Sequence, residues 1–123
     1  MAVRRVFKMA DLKRHCPAPG VCGQPIFGER SMIALVEFAP NAVAPSHTHP
    51  QEQIGIVTQG VQLLTIEGET YEVGAGDGYF IPSGVEHGSI AGPEGSTCIE
   101  VFQPIREDYW RAAQGMDAAA PFT

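Results

Sequence analysis

At 123 residues the chain is long enough for one domain with a real core and too short for two. Its 44% hydrophobic content is ordinary for a globular protein, and no run approaches the roughly 20 apolar residues that cross a bilayer. A net charge of -6 argues against nucleic acid or an anionic membrane as partner, because both are bound by basic surfaces.

Residues Met1 to Lys8 are basic, but no apolar signal core follows them, so a cytoplasmic location is the default expectation. Val3 to Phe7 reads as a first short strand. Residues 8–30 read as an irregular arm, with turns marked by Pro17, Pro19, Gly20, Gly23, Pro25 and Gly28. His15 falls there as a loop residue without a special role. The three cysteines are Cys16, Cys22 and Cys98, and an odd number without a signal peptide reads as reduced thiols. The spacing of Cys16 and Cys22 fits no common zinc knuckle.

The apolar run from Ser31 to Phe38 reads as a largely buried strand. A histidine strand follows over 45–49, then strands over Gln53–Thr58 and Val61–Glu67, and a hairpin turn at Glu67-Gly68-Glu69 into Thr70–Val73. Further strands are expected over Gly78–Ile81, from His87 to Ile90 and over Thr97–Gln103, with a turn at Gly92–Gly95 between the last two. Many short strands separated by turn signals predict an all-β sandwich or barrel, not alternating strands and helices. Glu107 to Gln114 reads as a short closing helix stopped by Gly115, followed by a tail that is mobile or pinned by Phe122. Nothing marks a second domain: the arm covers about 1–30, the barrel about 31–104 and the helix and tail about 105–123.

The chemistry concentrates in two turn-rich segments. Within Pro45-Ser-His-Thr-His-Pro-Gln-Glu-Gln53, His47 and His49 sit one residue apart, so in an extended strand both imidazoles project from one face. Gln53 shares their parity and Glu52 does not, although a bulge at Pro50 would exchange the two. His87 closes the segment Pro82-Ser-Gly-Val-Glu-His87. Three imidazoles and an amide oxygen form a neutral donor set for a divalent metal, leaving the ion its full charge for an anionic or enolate-forming ligand.

Pro45–Gly60 resembles the first cupin motif, on which His47, His49, Gln53 and Gly60 fall. Residues Gly76 to His87 resemble the second. Two departures stand out: the usual Glu ligand is Gln53, and the frequent Asn after the last His is Ala91. The resemblance implies a cupin double-stranded β-helix, a jelly-roll barrel of RmlC-like type. One divalent transition metal per chain (Ni, Zn, Mn, Fe or Co) would be held by His47, His49, Gln53 and His87. It also implies a homodimer; the need to cover exposed strand edges is a physical reason for one, and the N-terminal strand and the region of Trp110 are the candidate contacts.

In Cys98-Ile-Glu-Val-Phe-Gln-Pro-Ile-Arg106, strand alternation puts Cys98, Glu100 and Phe102 on one face and Ile99, Val101 and Gln103 on the other. If Glu100 points inward, it is a buried carboxylate near a cation, fit to pair with a charge or move a proton. The opposite orientation leaves it solvated. Arg106 has the planar fork for a bidentate grip on a substrate carboxylate. This ending is similar to that of small single-domain cupins of pectin and alginate breakdown, which ketonise unsaturated uronates; there the acid is typically Asp. The resemblance implies Glu100 as proton carrier, Arg106 as carboxylate anchor and Phe102 as an apolar wall for a small anionic substrate. With Fe(II) the same ligands suit a dioxygenase, and a cupin that only binds a small molecule is the non-catalytic alternative. Tyr71, Tyr79 and Trp110 read as core or interface residues.

Overall fold

The computed structural model describes residues 5–116. Eight antiparallel strands and one short helix make up the domain: β1 (His15–Ala18), β2 (Val21–Phe27), β3 (Met32–Phe38), β4 (Val43–His47), β5 (Glu52–Ile66), β6 (Glu69–Gly74), β7 (Gly78–Ile81), β8 (His87–Gln103) and α1 (Glu107–Ala113). The architecture is the all-β jelly roll.

Two long strands organise it. The first half of β5 pairs with β7 on one side and the last part of β8 on the other. Its second half pairs with β6 and the first part of β8. β3, β2 and β1 extend the sheet beyond the last part of β8, and β4 lies against its first part. Each long strand thus serves both halves of the roll, bending where the β5–β8 register shifts between Val57 and Gln62. Gly60 lies in that bend at φ +75, where a Cβ would overlap the carbonyl of Gly95, so only glycine fits.

Alternation along the strands builds the interior. Met32, Ala34, Val36 and Phe38 of β3 are buried while Ile33 and Glu37 are exposed. Across strands, register defines two inward rows. One runs Met32–Phe102–Gln53–Ile81 and the next Ala34–Glu100–Gly55–Tyr79. The first is sealed apart from Gln53. The second has small residues on both sides of Glu100, and that is where the interior stays open.

Several expectations need correction. The two strands expected over Gln53–Thr58 and Val61–Glu67 are the single strand β5, and those expected over His87–Ile90 and Thr97–Gln103 are the single strand β8, because bulges carry each strand through its glycines. Residues 15–18 and 21–27 are strands, not an irregular arm; there Pro25 sits in strand β2 and Gly20 makes the turn. Cys16 and Cys22, read as reduced thiols, face each other across this hairpin and form a disulfide, with Cα atoms 4.0 Å apart. Cys98 is free and buried. Phe7 is not in a strand, and Val3 lies outside the described residues, as does Phe122. No helix among the described residues is long and apolar enough to cross a membrane.

Candidate metal centre

The three expected histidines come together. His47 ends β4 and pairs directly with His87 at the start of β8, their ring centroids 4.2 Å apart. His49 lies just beyond β4, outside the strand that parity assumed, and its ring is 4.8 Å from that of His87. The second motif holds this loop in place: the Gly84 amide donates to the His49 carbonyl at 3.0 Å, and the Ser83 hydroxyl donates to the Pro50 carbonyl. One nitrogen from each ring falls within 4.8 Å of the others.

Backbone carbonyls select the tautomer. Nδ1 of His47 faces the Pro45 carbonyl at 2.6 Å, Nδ1 of His49 the Gln51 carbonyl at 3.0 Å and Nδ1 of His87 the Val85 carbonyl at 2.8 Å. A carbonyl only accepts, so each Nδ1 carries the proton and each Nε2 keeps its lone pair. Burial, the neighbouring imidazoles and the Arg106 charge together keep His47 neutral, with its pKa lowered to about 3. Burial and the Arg106 charge lower that of His49 to about 4, and burial lowers that of His87.

Two observations fit a cation here. Nε2 of His87 is buried with no hydrogen-bond partner. Nε2 of His49 lies 3.1 Å from Oε1 of Gln53. With the His49 proton on Nδ1, these two atoms are both acceptors, and two facing lone pairs are what a shared cation relieves.

Gln53 is buried and Glu52 exposed, as strand parity favours. The Gln53 amide nitrogen donates to Oε2 of Glu100 at 2.6 Å. Glu100 faces inward and lines the cavity, which excludes the solvated orientation. Burial raises its pKa, opposed by the Tyr79 hydroxyl, the Arg106 charge and Gln53. Tyr79, read from the sequence as a core or interface residue, donates to the same Oε2 at 2.5 Å, and burial next to the Glu100 charge keeps its phenol protonated. The signal for it was present in Gly55, the gap its ring crosses, but is visible only once β7, β5 and β8 are in register.

Arg106 and Phe102 both lie beside the histidines. Arg106 is buried, and Asp108 already occupies its fork, with Nε to Oδ1 at 3.0 Å and Nη2 to Oδ2 at 2.7 Å. It therefore brings positive charge to the site, with the Nε edge of its guanidinium held by Asp108. His15, expected as an idle loop residue, lies on β1 with Nε2 3.2 Å from Asp108 and extends this pair. Phe102 is fully buried and packs behind the His49 ring at 5.8 Å and beneath the Arg106 guanidinium at 5.0 Å.

The cavity holds about 30 Å³, bordered by His47, His87, Gln53, Glu100, Tyr79 and Arg106. One water needs roughly 10–15 Å³ on this measure, so the interior as it stands admits one or two.

A sequence model of the Cupin domain family matches residues 34–101. The chain is 35% identical over 79 residues to the pectin degradation protein KdgF of Dickeya dadantii, covering 63% of this chain and 72% of that one. It is 34% identical over 64 residues to the dimethylsulfoniopropionate lyase DddW of Ruegeria pomeroyi, covering 52% of this chain but only 42% of the lyase. Among solved structures, an RmlC-like cupin from Shewanella frigidimarina superposes with a TM-score of 0.79 at 26% identity, covering 87% of this chain and 96% of that one. KdgF from a Halomonas species superposes at 0.76 with 29% identity, covering 86% and 98%.

Proposed function

From the premise that this chain belongs to the Cupin_2 family, we propose that it is a metal-dependent enzyme. It would move a proton next to a developing carbonyl on a small sugar acid or keto acid, with ketonisation of an unsaturated uronate as its reaction. The observation that carries this reading is the placement of an inward carboxylate, Glu100, one hydrogen bond from a neutral three-histidine and amide donor set. The relative named for pectin degradation, and the solved structure that shares its name KdgF, support the substrate class.

In this reading His47, His49, His87 and Gln53 hold one divalent transition metal per chain. Bound there, the metal supplies a Lewis acid for substrate oxygens. Glu100 carries the proton. Burial biases it toward the acid form, opposed by its hydrogen bonds to Tyr79 and Gln53 and by the Arg106 charge. Arg106, fixed by Asp108, attracts the substrate carboxylate as a point charge, and Phe102 keeps His49 and Arg106 in place. Asp at position 100 would leave a shorter reach; Glu brings the carboxylate far enough to touch Gln53.

A uronate does not fit the present cavity. The enzyme reading therefore requires substrate to bind from the His47 and His49 side, both of whose rings are partly exposed, and to displace inner side chains. A second reading is a cupin that binds metal and a small ligand without chemistry. Turnover of an unsaturated uronate by the metal-loaded protein and by Glu100→Gln separates the two.

Pairing of two chains belongs to the same proposal. Ile33, Val101, Ile54 and Phe80 form one outward apolar row across β3, β8, β5 and β7, with Ile33, Ile54 and Phe80 exposed. Such a face supplies apolar area for a homodimer, and light scattering on the eluting protein reads its mass.

A further inference from the structure

We infer that Glu100, held by Tyr79, is a positioning residue that turns the Gln53 amide so that its oxygen, not its nitrogen, faces the three imidazoles. The inference rests on the metal-centre reading above and adds a task that proton transfer does not require.

A glutamine ligand poses a problem that a glutamate ligand does not. The two ends of an amide have nearly the same shape, but only the oxygen has lone pairs to offer a cation. Something must choose between them. At Gln53 the choice is made from behind. The nitrogen end lies 2.6 Å from Oε2 of Glu100, and the oxygen end lies 3.1 Å from Nε2 of His49. Oε2 of Glu100 is the acceptor for both the Tyr79 hydroxyl and the Gln53 amide, so it pairs with the nitrogen end and not with the oxygen end.

Glu100 is itself held. The Tyr79 hydroxyl donates to the same Oε2 at 2.5 Å, reaching from β7 across β5. It can do so because Gly55 lies between them in register, opposite Tyr79 on one side and Glu100 on the other. A Cβ on Gly55 would overlap the Tyr79 ring. Gly55, Tyr79, Glu100 and Gln53 thus form one connected device that ends at the metal ligands.

The test is Zn(II) affinity of the full chain, measured by competition with a chromophoric chelator. Outer partners of metal ligands contribute roughly 10–100-fold in affinity. Glu100→Gln is expected to weaken Zn(II) binding within that range, because the new amide no longer rejects the wrong end of Gln53. Tyr79→Phe is expected to weaken it by about threefold or more, a fraction of the same effect. The exchanged pair, Gln53→Glu with Glu100→Gln, is expected to return to within about threefold of the starting protein, since the carboxylate is now the ligand and the amide its donor. A merely structural role for Glu100 would not be rescued in this way.

Glu100→Gln binding Zn(II) within about twofold of the starting protein, or an exchanged pair as weak as Glu100→Gln alone, would overturn the inference. If Glu100→Gln does not fold, Tyr79→Phe and the exchanged pair decide it. Gln53→Ala tells this failure from failure of the parent reading. If Gln53→Ala binds as tightly as the starting protein, Gln53 is not a ligand and both fall. If Gln53→Ala weakens binding and Glu100→Gln does not, only the inference falls.

Discussion

Tyr79 donates its hydroxyl to Glu100 from two strands away, and the residue between them is Gly55. Neighbouring strands lie about 4.8 Å apart, so the Tyr79 and Glu100 side chains together bridge nearly 10 Å of sheet to make this bond. A side chain at position 55 would block it.

Gly55→Ala tests that relationship. Overpacking a filled interior costs about 1–3 kcal/mol, and the new methyl would fall on the Tyr79 ring. Urea denaturation should show a loss in that range. Combining Gly55→Ala with Tyr79→Leu should recover part of it, because the shorter side chain no longer crosses position 55.

Much of this site was legible in the sequence. The two histidine motifs stand in the sequence, and period-two alternation puts Gln53 and not Glu52 inward on β5 and groups Cys98, Glu100 and Phe102 on one face of β8; which face turns inward is settled only by the fold. What the sequence hid depends on pairing between strands. Residues 15–27 carry Pro17, Pro19, Gly20, Gly23 and Pro25, and local composition marks them as loop; β3 draws them into the sheet by a full ladder from Val21–Phe38 to Phe27–Met32. The Cys16–Cys22 bridge and the His15–Asp108 contact both depend on this pairing. The planar fork of Arg106 is legible from its residue type, but its pairing with Asp108, two residues further on, is visible only in the fold.

Asp108→Asn should destabilise the protein. Arg106 is buried against Phe102 and Tyr109, and Asp108 compensates its charge. Removing one member of a buried pair costs about 3–5 kcal/mol, because the other charge stays buried without that partner. His15→Ala should cost much less, since the His15 contact at 3.2 Å is longer and engages only one carboxylate oxygen. Denaturation of both variants under one set of conditions checks the order.

The metal-free protein should lose stability as pH falls below about 6.5. Burial depresses the His47 pKa to about 3 and that of His49 to about 4 in the folded state, whereas unfolded histidine titrates near 6.5. Between these values the unfolded chain binds more protons, so stability falls with falling pH and the loss is complete only near pH 3. Glu100 acts with the opposite sign, because its raised folded pKa adds stability as pH falls toward the ordinary carboxylate range. Urea midpoints at pH 7 and pH 5 should therefore differ in favour of pH 7, and Glu100→Gln should widen the gap. His47→Asn should narrow it.

The most direct test of the functional account is turnover of a 4,5-unsaturated uronate, followed by loss of the conjugated double bond in NMR. The full chain is stripped of metal and then loaded in turn with Ni, Zn, Mn, Fe(II) or Co. The account predicts conversion to the keto form with at least one of these metals, none after chelation, and a loss of about 10²–10⁴-fold in kcat on Glu100→Gln, the usual contribution of a proton-transferring side chain. Stoichiometric metal binding without conversion under any loading, or equal rates for Glu100→Gln and the starting protein, would contradict it.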